Sequence, residues 1–195
     1  MSDELTERIY SYRLLARLLK APVDASLSAD LAEIEVAGHE NNGLASAWKE
    51  LSEAADDADI EELDDEFHRL FIGIGRGELL PYRSYYETGF LMEKPLAQLR
   101  EDLLQLGFKR QQDNTEPEDY LSSLFEVMAM LVEEQHVNQY FFLERHIISW
   151  GERFFGDLGM ASQSLLYRAV AKLGKEFLRR ELNELRHQRH QRKND

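Results

Sequence analysis

Three carboxylates stand within four residues at Glu116-Pro117-Glu118-Asp119, directly before Tyr120. Carboxylates grouped this closely either capture a cationic ligand or decorate the first turn of a helix. The second reading is immediate, since proline suits the first helical position and the helix dipole favours acids there by ~0.3–1 kcal/mol each. The first gains from position. The segment follows a polar stretch, Lys109 to Thr115, that separates two helical halves, and a groove between lobes is where a ligand site is expected. Tyr82, Tyr85 and Tyr86, around Ser84 and after Pro81, supply apolar rings with polar tips. They can line the same groove or pin an ordered 81–86 loop to the bundle.

Glu133-x-x-His136 and Glu184-x-x-His187 have the spacing with which helical bundles hold carboxylate-bridged metal pairs. Their placement argues against a metal enzyme. Glu133 falls opposite the face of Leu121, Phe125, Met128 and Val132, and His187 lies in a basic tail with Arg179, Arg180, Arg186, Arg189, Arg192 and Lys193. Gly73-Ile74-Gly75-Arg76-Gly77 has the glycines of a phosphate cradle, but such a loop joins a strand to a helix N-terminus, whereas this one follows a helix and leads into Pro81. No catalytic residue, metal or cofactor is assigned.

The elements that must position these residues are helical throughout. Leu5, Ile9, Tyr12, Ala16 and Leu19 mark a first helix capped near Ser2, and a second starts near Ser28 and stops in the turn-rich stretch from Gly38 to Gly43. Leu44, Trp48, Leu51 and Ala55 mark a third, and Ile60, Leu63, Phe67, Leu70 and Phe71 the apolar side of a fourth. Pro95 opens a helix through Leu96, Leu99, Leu103 and Leu106 that stops at Gly107. Pro117 is expected to open the helix of Leu121, Leu124, Phe125, Met128, Leu131 and Val132. An aromatic-rich helix over 138–155 follows, then a break at Gly156-Asp157-Leu158-Gly159 and a last helix capped near Ser162. No strand-length alternation occurs. The expectation is an all-α bundle of about eight to ten helices in two lobes, 1–108 and 120–195, joined by a linker over 109–119. That linker permits a monomer or a domain-swapped dimer.

The chain of 195 residues has no cysteine, which removes disulfides, thiolate catalysis and Cys-ligated metals and fits a reducing compartment. Its net charge of −14 repels phosphate backbones, so nucleic acid is a poor partner. Acids from Glu53 to Glu66 form a run that reads as a solvated face or as an attraction for a cationic peptide. Met1-Ser2-Asp3-Glu4-Leu5 lacks the basic and apolar regions of an export leader, and no apolar run approaches the ~18 residues needed to cross a bilayer. A cytoplasmic protein without membrane insertion is expected.

Four segments in order carry a family resemblance: Glu66-Phe67-His68-Arg69-Leu70-Phe71-Ile72-Gly73, Pro81-Tyr82-Arg83-Ser84-Tyr85-Tyr86, Glu116-Pro117-Glu118-Asp119, and His146-x-x-x-Trp150-x-x-x-Phe154. With the closing helix from Tyr167 to Phe177, the chain resembles the TorD/DmsD family of cytoplasmic chaperones, whose E-P-x-D-H motif is matched here except that Tyr120 replaces the histidine. The resemblance implies a chaperone, not an enzyme, that binds the twin-arginine signal peptide and apoprotein of a molybdopterin-dependent oxidoreductase until its cofactor is inserted. Trimethylamine-oxide, dimethyl-sulfoxide, nitrate and formate enzymes are the candidate clients, and GTP is a nucleotide associated with the family. Tyr82, Ser84, Tyr86, Glu116, Pro117, Asp119 and Tyr120 would form the peptide site, with Asp119 on its accessible edge, so that Asp119→Ala would weaken binding without unfolding. Trp150 and Phe154 read as core. A carboxylate-bridged metal enzyme and a general acidic helical adaptor are the alternatives.

Overall fold

A computed structural model describes residues 3–34, 43–110 and 115–194, so Ser2, 38–42 and 111–114 lie outside the described residues. Among these, ten α-helical segments and no strand are found, in agreement with an all-α class. They are α1 (Asp3–Lys20), α2 (Ala25–Ala32), α3 (Gly43–Asp56), α4 (Ile60–Phe67), α5 (Arg83–Thr88), α6 (Lys94–Gln105), α7 (Leu121–Glu133), α8 (Gln139–Leu143), α9 (Ser149–Ala161) and α10 (Leu165–Asn194). Wider π-turns extend α4 over His68–Ile72 and join α8 to α9 over Glu144–Ile148.

The chain divides into two compact units that are not sequential halves: Met1–Leu19 with Leu80–Trp150, and Lys20–Leu79 with Gly151–Asp195. The division at 109–119 therefore differs from the one the packing makes. The reason is a pairing that periodicity does not reveal. α1 packs on α7, where the Tyr12 and Phe125 rings meet edge to face at 5.6 Å and the Ser122 hydroxyl donates to the Ala16 carbonyl at 2.8 Å. The apolar faces themselves fall as expected, with Ile9, Tyr12, Ala16, Leu19, Leu121, Leu124, Phe125, Met128, Leu131 and Val132 all buried.

In the second unit, Asp59 caps α4 by accepting from the Glu61 and Glu62 amides, so part of the acidic run has a local reason. Glu66, buried, accepts from the amides of Gln163 and Ser164 and from Arg69, and so neutralises the N-terminus of α10 from another helix. The Tyr167 amide donates to the Ser164 hydroxyl at 3.1 Å, which makes Ser164 rather than Ser162 the capping side chain.

Three expected boundaries move. Pro117 does not open α7: residues 117–120 make a turn closed by Tyr120 N–H to Pro117 C=O at 3.2 Å, and the helix begins at Leu121. The 81–86 segment is only briefly extended, because Arg83 starts α5. α9 runs through Gly156 and Gly159 without a break, since packing outweighs the ~1 kcal/mol helix penalty of glycine; a Cβ on Gly159 would sit 3.4 Å from that of Ala171.

Gly174 of α10 faces Phe155 of α9, and a Cβ there would come within 2.2 Å of the ring. Gly174→Ala should therefore destabilise the protein by about 1–3 kcal/mol in urea unfolding, although the same exchange normally favours a helix. A gain in stability would contradict this packing.

Candidate functional site

The seven residues singled out from the sequence come together in the first unit, on two segments that run side by side. Tyr82 and Tyr120 form an isolated antiparallel bridge. The Leu121 amide donates to the Pro81 carbonyl at 2.8 Å and the Arg83 amide to the Asp119 carbonyl at 3.0 Å. Between them, one Asp119 oxygen accepts from the Ser84 amide at 2.8 Å and from the Ser84 hydroxyl at 2.5 Å. Ser84 lies in the first turn of α5, whose amides have no partner within the helix, so Asp119 caps α5 from a separate segment. Its other oxygen, Oδ1, is buried and has no hydrogen-bond partner among the described residues.

This corrects the expected roles of Asp119 and Ser84. Both are fully buried, and neither presents a surface to a peptide. They fix the backbone from which the neighbouring side chains emerge.

Those neighbours are accessible to different degrees: Glu116 is exposed, while Tyr82, Pro117, Glu118 and Tyr120 are half-buried. The Tyr82 and Tyr120 rings stand 5.1 Å apart, and the Tyr82 hydroxyl donates to the Glu116 carboxylate. Tyr120 donates its hydroxyl to the Leu19 carbonyl at 2.5 Å. Burial raises the titration of both hydroxyls, with the hydrogen bond and charge of Glu116 adding at Tyr82 and its charge adding at Tyr120. Both rings therefore stay neutral donors. Tyr86, half-buried, turns its ring onto Trp150 at 5.2 Å, and Trp150 and Phe154 are core residues.

Glu118 is engaged on both oxygens. Arg100 donates from Nε and Nη2 to Oε2 at 3.0 and 2.8 Å, and Arg110 lies 3.4 Å from Oε1. Burial works against ionisation of this carboxyl, but the Arg100 hydrogen bonds, a backbone hydrogen bond and the charges of Arg100 and Arg110 together outweigh it, so it titrates below the ordinary range.

A buried polar network beneath the site escaped the sequence reading. Arg83 reaches the His146 Nδ1 at 2.6 Å, the Glu87 carboxylate at 3.0 Å and the Pro95 carbonyl at 3.4 Å. The His146 Nε2 lies 2.8 Å from Asp102, which also receives Arg145 at 2.9 Å. A guanidinium only donates, so Nδ1 must accept and Nε2 carries the proton that Asp102 accepts. Burial and the Arg83 charge push the imidazole down to about 4 against the pull of Asp102. The π-turn places His146 there, and its partners are 63 and 44 residues away, with no local signal to join them.

The other patterns have local explanations. Glu133 pairs with Arg13 at 2.6 Å, and among the described residues no group of three His, Asp or Glu side chains could hold a metal. Gly73, at φ 62°, and Gly77, whose Cβ would meet the Phe71 backbone at 2.4 Å, let the loop fold back so that Leu79 N–H donates to Leu70 C=O. This loop faces the carbonyl end of a helix, the wrong polarity for a phosphate. In the second unit a cavity of about 420 Å³ is lined by Glu62, Asp65, Glu66, Arg69, Gln163 and Ser164, of which Glu66 and Arg69 are already paired.

Comparison with known proteins adds to this geometry. Residues 38–156 match the family model described as nitrate reductase delta subunit. The chaperone protein TorD of Vibrio cholerae serotype O1 is 31% identical over 180 residues, covering 86% of this chain and 80% of that protein. The chaperone protein TorD of Vibrio parahaemolyticus is 25% identical over 162 residues, covering 76% and 74%. A putative redox enzyme maturation protein from Archaeoglobus fulgidus superimposes with a TM-score of 0.58 at 20% identity, covering 88% and 93%, and shares the fold.

Two measurements check the buried contacts. Asp119→Ala leaves two Ser84 donors unpaired in the interior and should cost about 1–3 kcal/mol in urea unfolding. Because His146 is depressed in the folded state, stability is fully present above its unfolded value near 6.5 and falls by up to about 3 kcal/mol toward pH 4. By NMR its ring should remain neutral, with the proton on Nε2, until that lower limit. Titration near 6.5 would contradict the network.

Proposed function

Because the chain belongs to the TorD family of chaperones, we propose that it binds the twin-arginine signal peptide and the apoprotein of a molybdenum-cofactor oxidoreductase, and holds them in the cytoplasm until the cofactor is inserted and export follows. Binding is the whole of the activity on this reading, and no bond is made or broken. Among the described residues no helix is long and apolar enough to cross a membrane, which is compatible with that role.

The observation that carries the reading is the exposed Glu116 carboxylate beside the Tyr82–Tyr120 pair. A guanidinium arriving there meets an anion and two aromatic rings, the combination that suits arginine better than lysine. The apolar part of the leader also has a surface. Phe90, Leu91 and Met92, exposed by 69%, 41% and 71%, follow α5, whose six residues span about 9 Å from the Tyr82 end. Covering leucine-like side chains against such a surface contributes ~1.5–3 kcal/mol each, whereas an exposed Arg–carboxylate pair contributes ~0–1 kcal/mol. Apolar contact then sets affinity, and the carboxylate sets register and choice of cation.

Tyr120, where the family motif has histidine, cannot become cationic near neutral pH. Affinity for the leader should therefore change less than about twofold between pH 6 and pH 8.

The direct test is calorimetric titration with signal peptides of candidate molybdoenzymes, each beside a twin-lysine control. The arginine form should bind more tightly, and Tyr82→Ala should weaken it by roughly fivefold or more with helicity unchanged. If no such leader binds, the reading fails and an adaptor for other basic partners takes its place.

A further inference from the structure

The cavity of the second unit carries a charge that its own residues do not balance. Glu62, Asp65 and Glu66 line it from α4, and Arg69 is the cation among the lining residues. Arg69 is committed to Glu66, to Glu78 and, at 3.1 Å, to the Ala161 carbonyl. Both Glu66 oxygens are taken, by Arg69 and by the Gln163 and Ser164 amides. Glu62 and Asp65 are exposed and have no ion-pair partner among the described residues. We propose that this cavity and the apolar residues beside it are a second polypeptide-docking surface, which takes a basic side chain and its apolar neighbour from the client's apoprotein. This rests on the chaperone reading above and gives the apoprotein a surface of its own, on a different unit from the leader's.

The sign of the occupant follows from α4. Glu62 and Asp65 stand three residues apart, so their carboxylates share a face and repel each other. Glu62 lies in the first turn, where the helix dipole offsets its charge, but Asp65 lies past that turn. Its neighbour Asp64 has His68 at 3.3 Å. A cation placed between Glu62 and Asp65 removes their repulsion. An anion meets it undiminished, and the α10 amides that could otherwise hold an anion are already bound to Glu66. About 420 Å³ is room for a whole basic side chain, within the ~300–1,000 Å³ usual for ligand sites.

The neighbours of the cavity make the occupant a polypeptide rather than a bare ion. Met160 precedes Ala161, whose carbonyl is held by Arg69, and Leu165 follows Ser164, which lines the cavity. These two side chains are 81% and 64% exposed, one on each flank of the turn that joins α9 to α10. A basic side chain with an apolar neighbour covers such a rim while its charge enters the cavity. No aromatic ring lines the cavity, so arginine has no stacking advantage there. Lysine and arginine should serve equally, unlike at the Tyr82 and Tyr120 surface.

The test uses the full chain, titrated with leaderless apoproteins of the candidate molybdoenzymes and separately with their signal peptides. Glu62→Gln with Asp65→Asn should weaken apoprotein binding by about five- to tenfold and leave leader affinity within about twofold. Met160→Ser with Leu165→Ser should weaken the same complex by a similar factor. All four side chains are exposed, so helicity should be unchanged in both variants. Asp56→Asn with Asp57→Asn removes the same charge from the acidic run outside the lining, and equal weakening there would show a general field effect and overturn the proposal. Apoprotein binding indifferent to the four residues would also overturn it. A loss of leader affinity in these variants would assign the surface to the leader, and a changed sedimentation of the free protein would assign it to a second copy; either result overturns the proposal. Failure of every signal peptide to bind the unaltered protein sinks the leader reading, whereas failure of the leaderless apoproteins alone sinks only this docking surface.

Discussion

Asp119 is an ionisable side chain withdrawn from water, and the candidate site exists because the fold satisfies one of its oxygens twice. A buried carboxylate without donors is strongly disfavoured, and the Ser84 amide and hydroxyl supply the compensation. The same contact caps α5, so the first turn of that helix and the 117–120 turn hold each other in place. Tyr82, Glu116, Glu118 and Tyr120 all project from backbone fixed by this clasp. A peptide that meets them meets a preformed surface.

Arg83 extends the constraint downward. Its amide binds the Asp119 carbonyl while its guanidinium reaches His146, Glu87 and Pro95, so one residue joins the clasp to α6 and to the π-turn before α9. With Asp102 and Arg145 the charges form a connected set in which each has a partner. Such sets contribute little net stability compared with apolar packing but are expensive to break, and they hold geometry. Here that geometry fixes where the side chains beside Asp119 are placed.

The all-α class and the core faces were legible because burial imposes a 3.6-residue rhythm, visible from Ile9 to Leu19 and from Leu121 to Val132. The family motifs also pointed to the two segments that meet at the site. Three things were not legible, each for a physical reason. The pairing of α1 with α7 depends on which apolar faces match in three dimensions, and periodicity carries no such information. Pro117 satisfies the rules for a helix start, yet the strand-like bridge at Tyr82 and Tyr120 competes for that backbone and wins. Asp119 looked like an accessible carboxylate among others, whereas its burial follows from a partner, Ser84, 35 residues away. Glu118 was legible as one of the three acids, but its partners Arg100 and Arg110 meet it only in the folded chain.

The proposed docking of a leader peptide with paired arginines would take place on the surface fixed by the Asp119–Ser84 clasp. Hydrogen exchange of backbone amides, followed residue by residue with and without such a peptide, tests it most directly. The account predicts slower exchange confined to residues 82–92 and 115–121, with the second unit unchanged. Protection elsewhere, with these two segments exchanging at their free rates while the peptide is demonstrably bound, would contradict it.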